Sequence, residues 1–256
     1  MFKRLVLIGA CLAASLSAGS AVAETTYVVG SGGTYRPFEF ENSSKQLEGF
    51  DIDIIKAVAK AEGFQIKLVN TPWEGIFATL NSGDRDIIIS GITITDKRKQ
   101  MVDFSAPYFP AEQAIVVPKT STVDSIAALK SLKVGVVNSS TGDIVVSDVL
   151  GKNSTAIKRF DNTPLMLQEL FEDGISAAVG DVGVAKFYIK THPEKQFKLV
   201  TDAKFQRQYF GIAVAKGNVE LRDRINAGLK KIVADGTYAN IYRNWFDSNV
   251  PTLPAE

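Results

Sequence analysis

Between Lys133 and Val200 the chain switches repeatedly between short apolar runs of strand length and longer amphipathic runs of helix length. Lys133–Val137, Ala156–Phe160, Ile175–Val179 and Phe197–Val200 read as strands. Asp143–Val149, Pro164–Glu172 and Val182–Lys190 read as helices, the second with Thr163 as N-cap and proline in the first turn. A helix between two strands carries the chain back to the edge where it began, so successive strands lie parallel. The segment is therefore expected to form a doubly wound, mostly parallel sheet.

The same scheme precedes it. Tyr27–Gly30, Ile66–Val69 and Asp86–Ser90 read as strands, Asp51–Ala61 as a helix stopped by Gly63, and Glu74–Leu80 as a second helix closed near Gly83. Gln113–Val117 and Phe210–Ala215 are further strands, and helices at Glu220–Ala234 and Tyr238–Trp245 end the chain. The expected architecture is α/β with two lobes, one interrupted by the other: residues 24–109 plus 210–256 form lobe 1 and residues 110–209 form lobe 2. Two crossing strands near Tyr108–Glu112 and Gln206–Tyr209 would form a hinge.

Composition excludes several chemistries. With 29 basic against 28 acidic residues there is no field to draw the chain onto nucleic acid. One cysteine, Cys11, and one histidine, His192, leave zinc sites, disulfides and Ser/His or Cys/His nucleophiles without parts. Asp51 with Asp53, and Asp84 with Asp86, lie beside helix caps or turns and lack the other ligands of a calcium loop. Neither a metal nor a cofactor is expected. Lys3 and Arg4, the apolar run Leu5–Leu16 and the small residues Ala21-Val22-Ala23 read as a secretory signal peptide, residues 1–23. Only ten residues precede Cys11 and the apolar run continues past it, which argues against a lipoprotein anchor. A disulfide-free exported chain fits a bacterial periplasm.

Open α/β sheets bind ligands beyond the carboxyl ends of their strands. Three polar loops leave such ends: Ser90-Gly91-Ile92-Thr93, Asn138-Ser139-Ser140-Thr141-Gly142 and Gly180-Asp181. Arg98 follows the first, and its planar guanidinium is suited to a carboxylate; a solvated arginine in a charged helix start is the plainer use. Thr141-Gly142 offers backbone N–H groups at a helix start, or an ordinary cap. Asp181 suits an ammonium group, or serves as an N-cap. Tyr35 and Trp73 lie on loops where they would flank a ligand, although Trp73 serves equally well in packing. Phe38, Phe40 and Phe50 read as packing.

Taken in order, Tyr35-Arg36-Pro37-Phe38-Glu39-Phe40, Gly49-Phe50-Asp51-Ile52-Asp53, Gly91-Ile92-Thr93-Ile94-Thr95 with Arg98, Asp103-Phe104-Ser105-Ala106-Pro107-Tyr108, Gly180-Asp181, and Gly236-Thr237-Tyr238 with Trp245-Phe246 resemble the polar amino-acid-binding proteins of bacterial ABC importers, nearest the glutamine-binding branch. That resemblance covers essentially the whole chain after the leader. It implies a two-lobed periplasmic binding protein, a monomer, that captures an L-amino acid and delivers it to an inner-membrane ABC permease. It also implies that Arg98 takes the carboxylate and Asp181 the ammonium, with Ser90, Gly91 and Thr93 in support. Tyr35 and Trp73 would be the aromatic walls, and Asn138, Thr141 and Gly142 the second-lobe loop.

The departures fall on the side-chain pocket. Where glutamine binders carry an aspartate before the first aromatic this chain has Gly32; Asn138 replaces a lysine and Gly180 a histidine. Without a carboxylate at Gly32 or Gly33 a cationic ligand lacks a partner, and Asn138 suits a neutral one, so glutamine is the leading expectation; Glu39 or Glu112, if either reaches the pocket, would favour arginine or lysine. Two rivals remain. An exported cyclohexadienyl (arogenate or prephenate) dehydratase resembles the same proteins and would need an extra acid in the cleft, with Glu39 and Glu112 the candidates. A soluble sensor partner of a receptor is the other.

Overall fold

The computed structural model describes residues 25–254; the expected leader, residues 1–23, and Cys11 within it lie outside the described residues. The chain forms two α/β lobes, each built on a five-stranded sheet. In the first sheet the strand order is Gln65–Asn70, Thr26–Ser31, Ile87–Ile88, Ala213–Ala215, Val102–Phe104; in the second it is Ile157–Phe160, Val134–Val137, Ala177–Asp181, Gln113–Pro118, Phe197–Val200. The two sheets share one topology. In each, four strands run parallel and the fourth in order runs against them. The reversed strands, Gln113–Pro118 and Ala213–Ala215, are those entered directly from the other sheet with no helix between to turn the chain round. They follow Phe109–Ala111 and Gln208–Phe210, which pair antiparallel as the two crossings.

Apolar periodicity explains the layers. The helix Phe50–Glu62 buries Ile54, Ile55, Val58 and Ala59 on one face and stops at Gly63, whose left-handed φ of 62° is readily adopted without a Cβ. It packs on Val219–Ala234, where Gly228 allows close approach: a Cβ there would lie 2.8 Å from a Val58 methyl. Phe38, Phe50, Tyr108, Phe109 and Phe210 form a buried aromatic cluster against the crossings. Each fully buried ring contributes about 1.5 to 3 kcal/mol.

Some local expectations are corrected. Helix Glu74–Leu80 shrinks to Ala78–Asn81, because Gly75 takes a φ of 77° and turns the chain before it. Asn162, not Thr163, caps Thr163–Phe171, its side chain accepting from the Leu165 N–H at 3.0 Å. Phe210–Ala215 divides into a crossing and a sheet strand around Gly211, which lies so close to Ile94 that a Cβ would meet it at 2.8 Å. Among the described residues no helix is long and apolar enough to cross a membrane.

Candidate functional site

The carboxyl ends of the two sheets converge on a cavity of about 370 Å³. Of the residues singled out in the sequence, Tyr35, Trp73, Ser90, Gly91, Thr93, Arg98, Thr141 and Asp181 line it. Both lobes contribute, and several hydrogen bonds run between them: Trp73 Nε1 donates to the Asn138 carbonyl at 2.9 Å, the Tyr35 hydroxyl donates to Asp181, and the Thr93 and Thr141 hydroxyls lie 3.5 Å apart.

Arg98 belongs to a short helix, Asp96–Lys99, capped by the Thr95 hydroxyl. Only 6% of its surface is exposed. One Nη donates to the Thr93 carbonyl at 2.9 Å and the other to the Ser139 carbonyl at 3.4 Å, while the guanidinium carbon lies 5.1 Å from the Trp73 ring centre. Burial lowers its pKa to about 10, against the opposing pull of Asp181 and Tyr35, so it is charged at neutral pH. Among the described residues no carboxylate stands in ion-pair contact with it. Such a group is ready for an anion with two acceptor oxygens.

Asp181 ends the strand Ala177–Asp181, and the antiparallel register sets it opposite Gln113. The Gln113 amide donates to Asp181 Oδ1 at 2.9 Å and to the Thr141 hydroxyl at 3.0 Å. Burial pushes the Asp181 carboxyl up to about 6, while the Tyr35 hydroxyl, Arg98 and Gln113 pull it down. Burial and the Asp181 charge together hold the Tyr35 hydroxyl well above its ordinary range. Asp181 precedes the helix Val182–Thr191, yet its side chain makes no capping bond there; its oxygens face Tyr35 and Gln113 instead.

Two sequence candidates fall elsewhere. Asn138 is exposed and lines a smaller recess at the cleft mouth with Glu74, Phe77 and Ser139; its backbone carbonyl, not its amide, meets the other lobe. Gly142 is buried behind the cavity wall, where a Cβ would lie 2.8 Å from the Val179 carbonyl. The helix start beside it is already capped: Ser140 Oγ accepts from the Asp143 N–H, and the Asp143 carboxylate accepts from the Ser139 N–H at 3.0 Å. Gly142→Ala gains up to about 1 kcal/mol of helix propensity but pushes on a sheet carbonyl, and overpacking of this kind costs about 1 to 3 kcal/mol. Chemical denaturation is therefore expected to show a less stable protein. An unchanged or higher midpoint would contradict this packing account.

The residue of greatest weight that the loop reading left aside is Glu39. It is 1% exposed, lines the cavity, and accepts from the Ser90 hydroxyl at 2.7 Å, which itself accepts from the Gly32 N–H at 3.0 Å. A Cβ on Gly32 would lie 3.6 Å from Glu39 Oε1. A carboxylate thus stands beside Gly32, presented from the neighbouring hairpin. Glu112, the other acid considered, is exposed and pairs with Arg207 at 3.4 Å, outside the cavity. Asn70, Glu74, Asp161, Asn162 and Thr163 also line the cavity. Among the described residues no cluster of three or more His, Cys, Asp or Glu side chains is arranged to hold a metal.

Known proteins share this fold. The model of the bacterial extracellular solute-binding proteins, family 3, matches residues 27–248. A probable histidine-binding protein of Neisseria gonorrhoeae is 43% identical over 86% of this chain and 82% of its own. The solved arginine-, lysine-, histidine-binding protein ArtJ of Geobacillus stearothermophilus superposes with a TM-score of 0.85 at 37% identity, covering 88% of this chain and 97% of that one. An ancestral arginine-binding protein bound to glutamine gives 0.81 at 42% identity, over 88% and 99%. With the family model spanning nearly all of the described residues, the chain belongs to the bacterial extracellular solute-binding proteins of family 3.

Proposed function

We propose that this protein captures an L-amino acid between its lobes in the periplasm and delivers it to an inner-membrane ABC permease, and that the amino acid is basic: histidine, arginine or lysine. In this reading Arg98 holds the α-carboxylate, Asp181 the α-ammonium, Tyr35 and Trp73 flank the ligand, and Glu39 faces the side chain. The observation that carries it is the charge of the cavity lining, where buried Glu39, half-buried Asp181 and, exposed at the mouth, Glu74 and Asp161 stand against Arg98, the one cation among the described residues of the lining. The two α-groups of a zwitterion are matched by Arg98 and Asp181. What remains is acidic, which suits a cation, since a buried charge needs a partner. An acidic side chain would meet like charge. The relatives named for histidine and arginine support this choice over glutamine.

Residues 24–109 with 210–256, and 110–209, are proposed to move as two bodies about the crossings, the ligand stabilising a closed form that docks on the permease. A thermal-shift screen of ligand-free protein tests the reading, because a ligand bound by the folded state alone raises the melting temperature. The basic amino acids are expected to give the largest shifts. No shift with any amino acid would refute it. Glu39 in the cavity also supplies the acid that a dehydratase would need; incubation with arogenate or prephenate is expected to yield no product, and turnover would favour the enzyme.

A further inference from the structure

The helix Phe50–Glu62 carries Asp51 in its first turn, fully buried. Asp51 Oδ2 accepts from the Gly91 N–H at 2.7 Å and from the Tyr108 hydroxyl at 2.8 Å, so it braces both the cavity loop and the start of the crossing. Its other oxygen, Oδ1, is buried with no donor among the described residues. Glu39 Oε2 is in the same condition. The two carboxyl groups are held by adjacent residues of one loop, Glu39 Oε1 accepting from the Ser90 hydroxyl and Asp51 Oδ2 from the Gly91 N–H, each at 2.7 Å, and each carboxyl perturbs the titration of the other. Two ionised carboxylates so placed repel, and each leaves one buried oxygen without a donor; one proton between them resolves both problems.

We propose that Glu39 and Asp51 share a single proton and that a cationic ligand side chain expels it on binding, so that Asp51 sets the charge of the side-chain subsite. This rests on the basic-amino-acid reading above. The proton leaves the Glu39–Asp51 pair and goes to solvent buffer when arginine or lysine binds; when neutral histidine binds, the proton passes to the imidazole, whose own pKa makes it a suitable acceptor. A neutral side chain leaves the pair as it is. Asp51 is thus a positioning residue, acting on the ligand through Glu39.

The surroundings agree. Burial, then the Asp51 charge, raise Glu39 well above the carboxylate range, and burial raises Asp51 to about 7, although the Gly91 N–H, the Tyr108 hydroxyl and Glu39 pull Asp51 down. The other titratable groups facing the pair are Tyr35 and Tyr108, both held protonated by burial, and Asp181, whose charge raises Glu39 further. Arg98 is the basic group lining the same cavity.

Calorimetry of the mature protein at pH 6.5 in buffers of different ionisation enthalpy counts the protons moved. Asp181 also exchanges protons when it takes an α-ammonium, and it does so for every amino acid, so glutamine is the control. Arginine is expected to release about one proton more than glutamine, and histidine no more than glutamine. In Asp51→Asn the amide oxygen retains the Gly91 and Tyr108 bonds and its NH2 donates to Glu39, which stays ionised; arginine is expected to bind with the excess release lost.

Ligand-free stability gives a second readout. A carboxyl whose pKa is raised on folding contributes stability that is present below about pH 4 and is lost as pH rises through about 7. Wild type is therefore expected to lose stability relative to Asp51→Asn across that window. Arginine binding to wild type with no excess release, or an excess that persists in Asp51→Asn, would overturn the shared proton. Failure of arginine, lysine and histidine to bind at all would instead overturn the functional reading, and ligand expulsion of the proton with it.

Discussion

Arg98→Ala is expected to weaken amino-acid binding by about 2 to 5 kcal/mol, roughly thirtyfold to several thousandfold. Two terms add. The ligand carboxylate loses its charged partner, and on closure it is left buried without one, which costs more than the bond itself was worth. Arg98→Lys keeps the charge but not the two-pronged geometry or the stacking on Trp73, 5.1 Å away, and is expected to recover only part of the loss. The fold should survive both changes, because Arg98 makes its hydrogen bonds to carbonyls of loops rather than to sheet strands. Affinity of Arg98→Ala within threefold of wild type by calorimetry would remove Arg98 from the site.

Glu39→Gln is expected to act on selectivity rather than on binding as such. The amide oxygen can still accept from Ser90, so the hairpin keeps its bond. A cationic side chain loses its buried counter-charge, at about 3 kcal/mol or roughly a hundredfold, whereas glutamine loses little. The ratio of arginine to glutamine affinity should fall accordingly. Equal losses for both ligands would mean that Glu39 supports the cavity without reading the side chain.

Much of this arrangement was legible in the chain before any coordinates. Strand and helix periods gave the two mostly parallel sheets, since burial on both faces enforces apolar runs such as Val134–Val137 and Ala177–Val179. Residues near strand ends were legible for the same reason: Asp181 closes an apolar strand, Thr93 lies in the loop after another with Arg98 on the short helix that follows, and the topology carries them to one cleft. Positions that depend on approach across space were not. Gly32 read as a missing carboxylate, because its identity carries no information about Glu39 filling the space beside it. Asp51 read as a residue beside a helix cap, and only its burial with Gly91 and Tyr108 reveals another use. Gly142 read as a donor because helix starts are donors; its real constraint is the Val179 carbonyl behind it, which belongs to a strand far along the chain. Gln113 carried no signal in sequence, and the strand register alone brings it opposite Asp181.

The central claim, an amino-acid site whose side-chain end is acidic, is tested most directly by calorimetric titration of protein lacking residues 1–23, refolded from denaturant to strip any co-purified ligand. L-arginine, L-lysine, L-histidine, L-glutamine and L-glutamate are titrated in turn. At least one of the three basic amino acids is predicted to bind tenfold or more tighter than glutamine, with glutamate weakest. Glutamine or glutamate binding tighter than all three would contradict the assignment of Glu39 to the ligand's side chain.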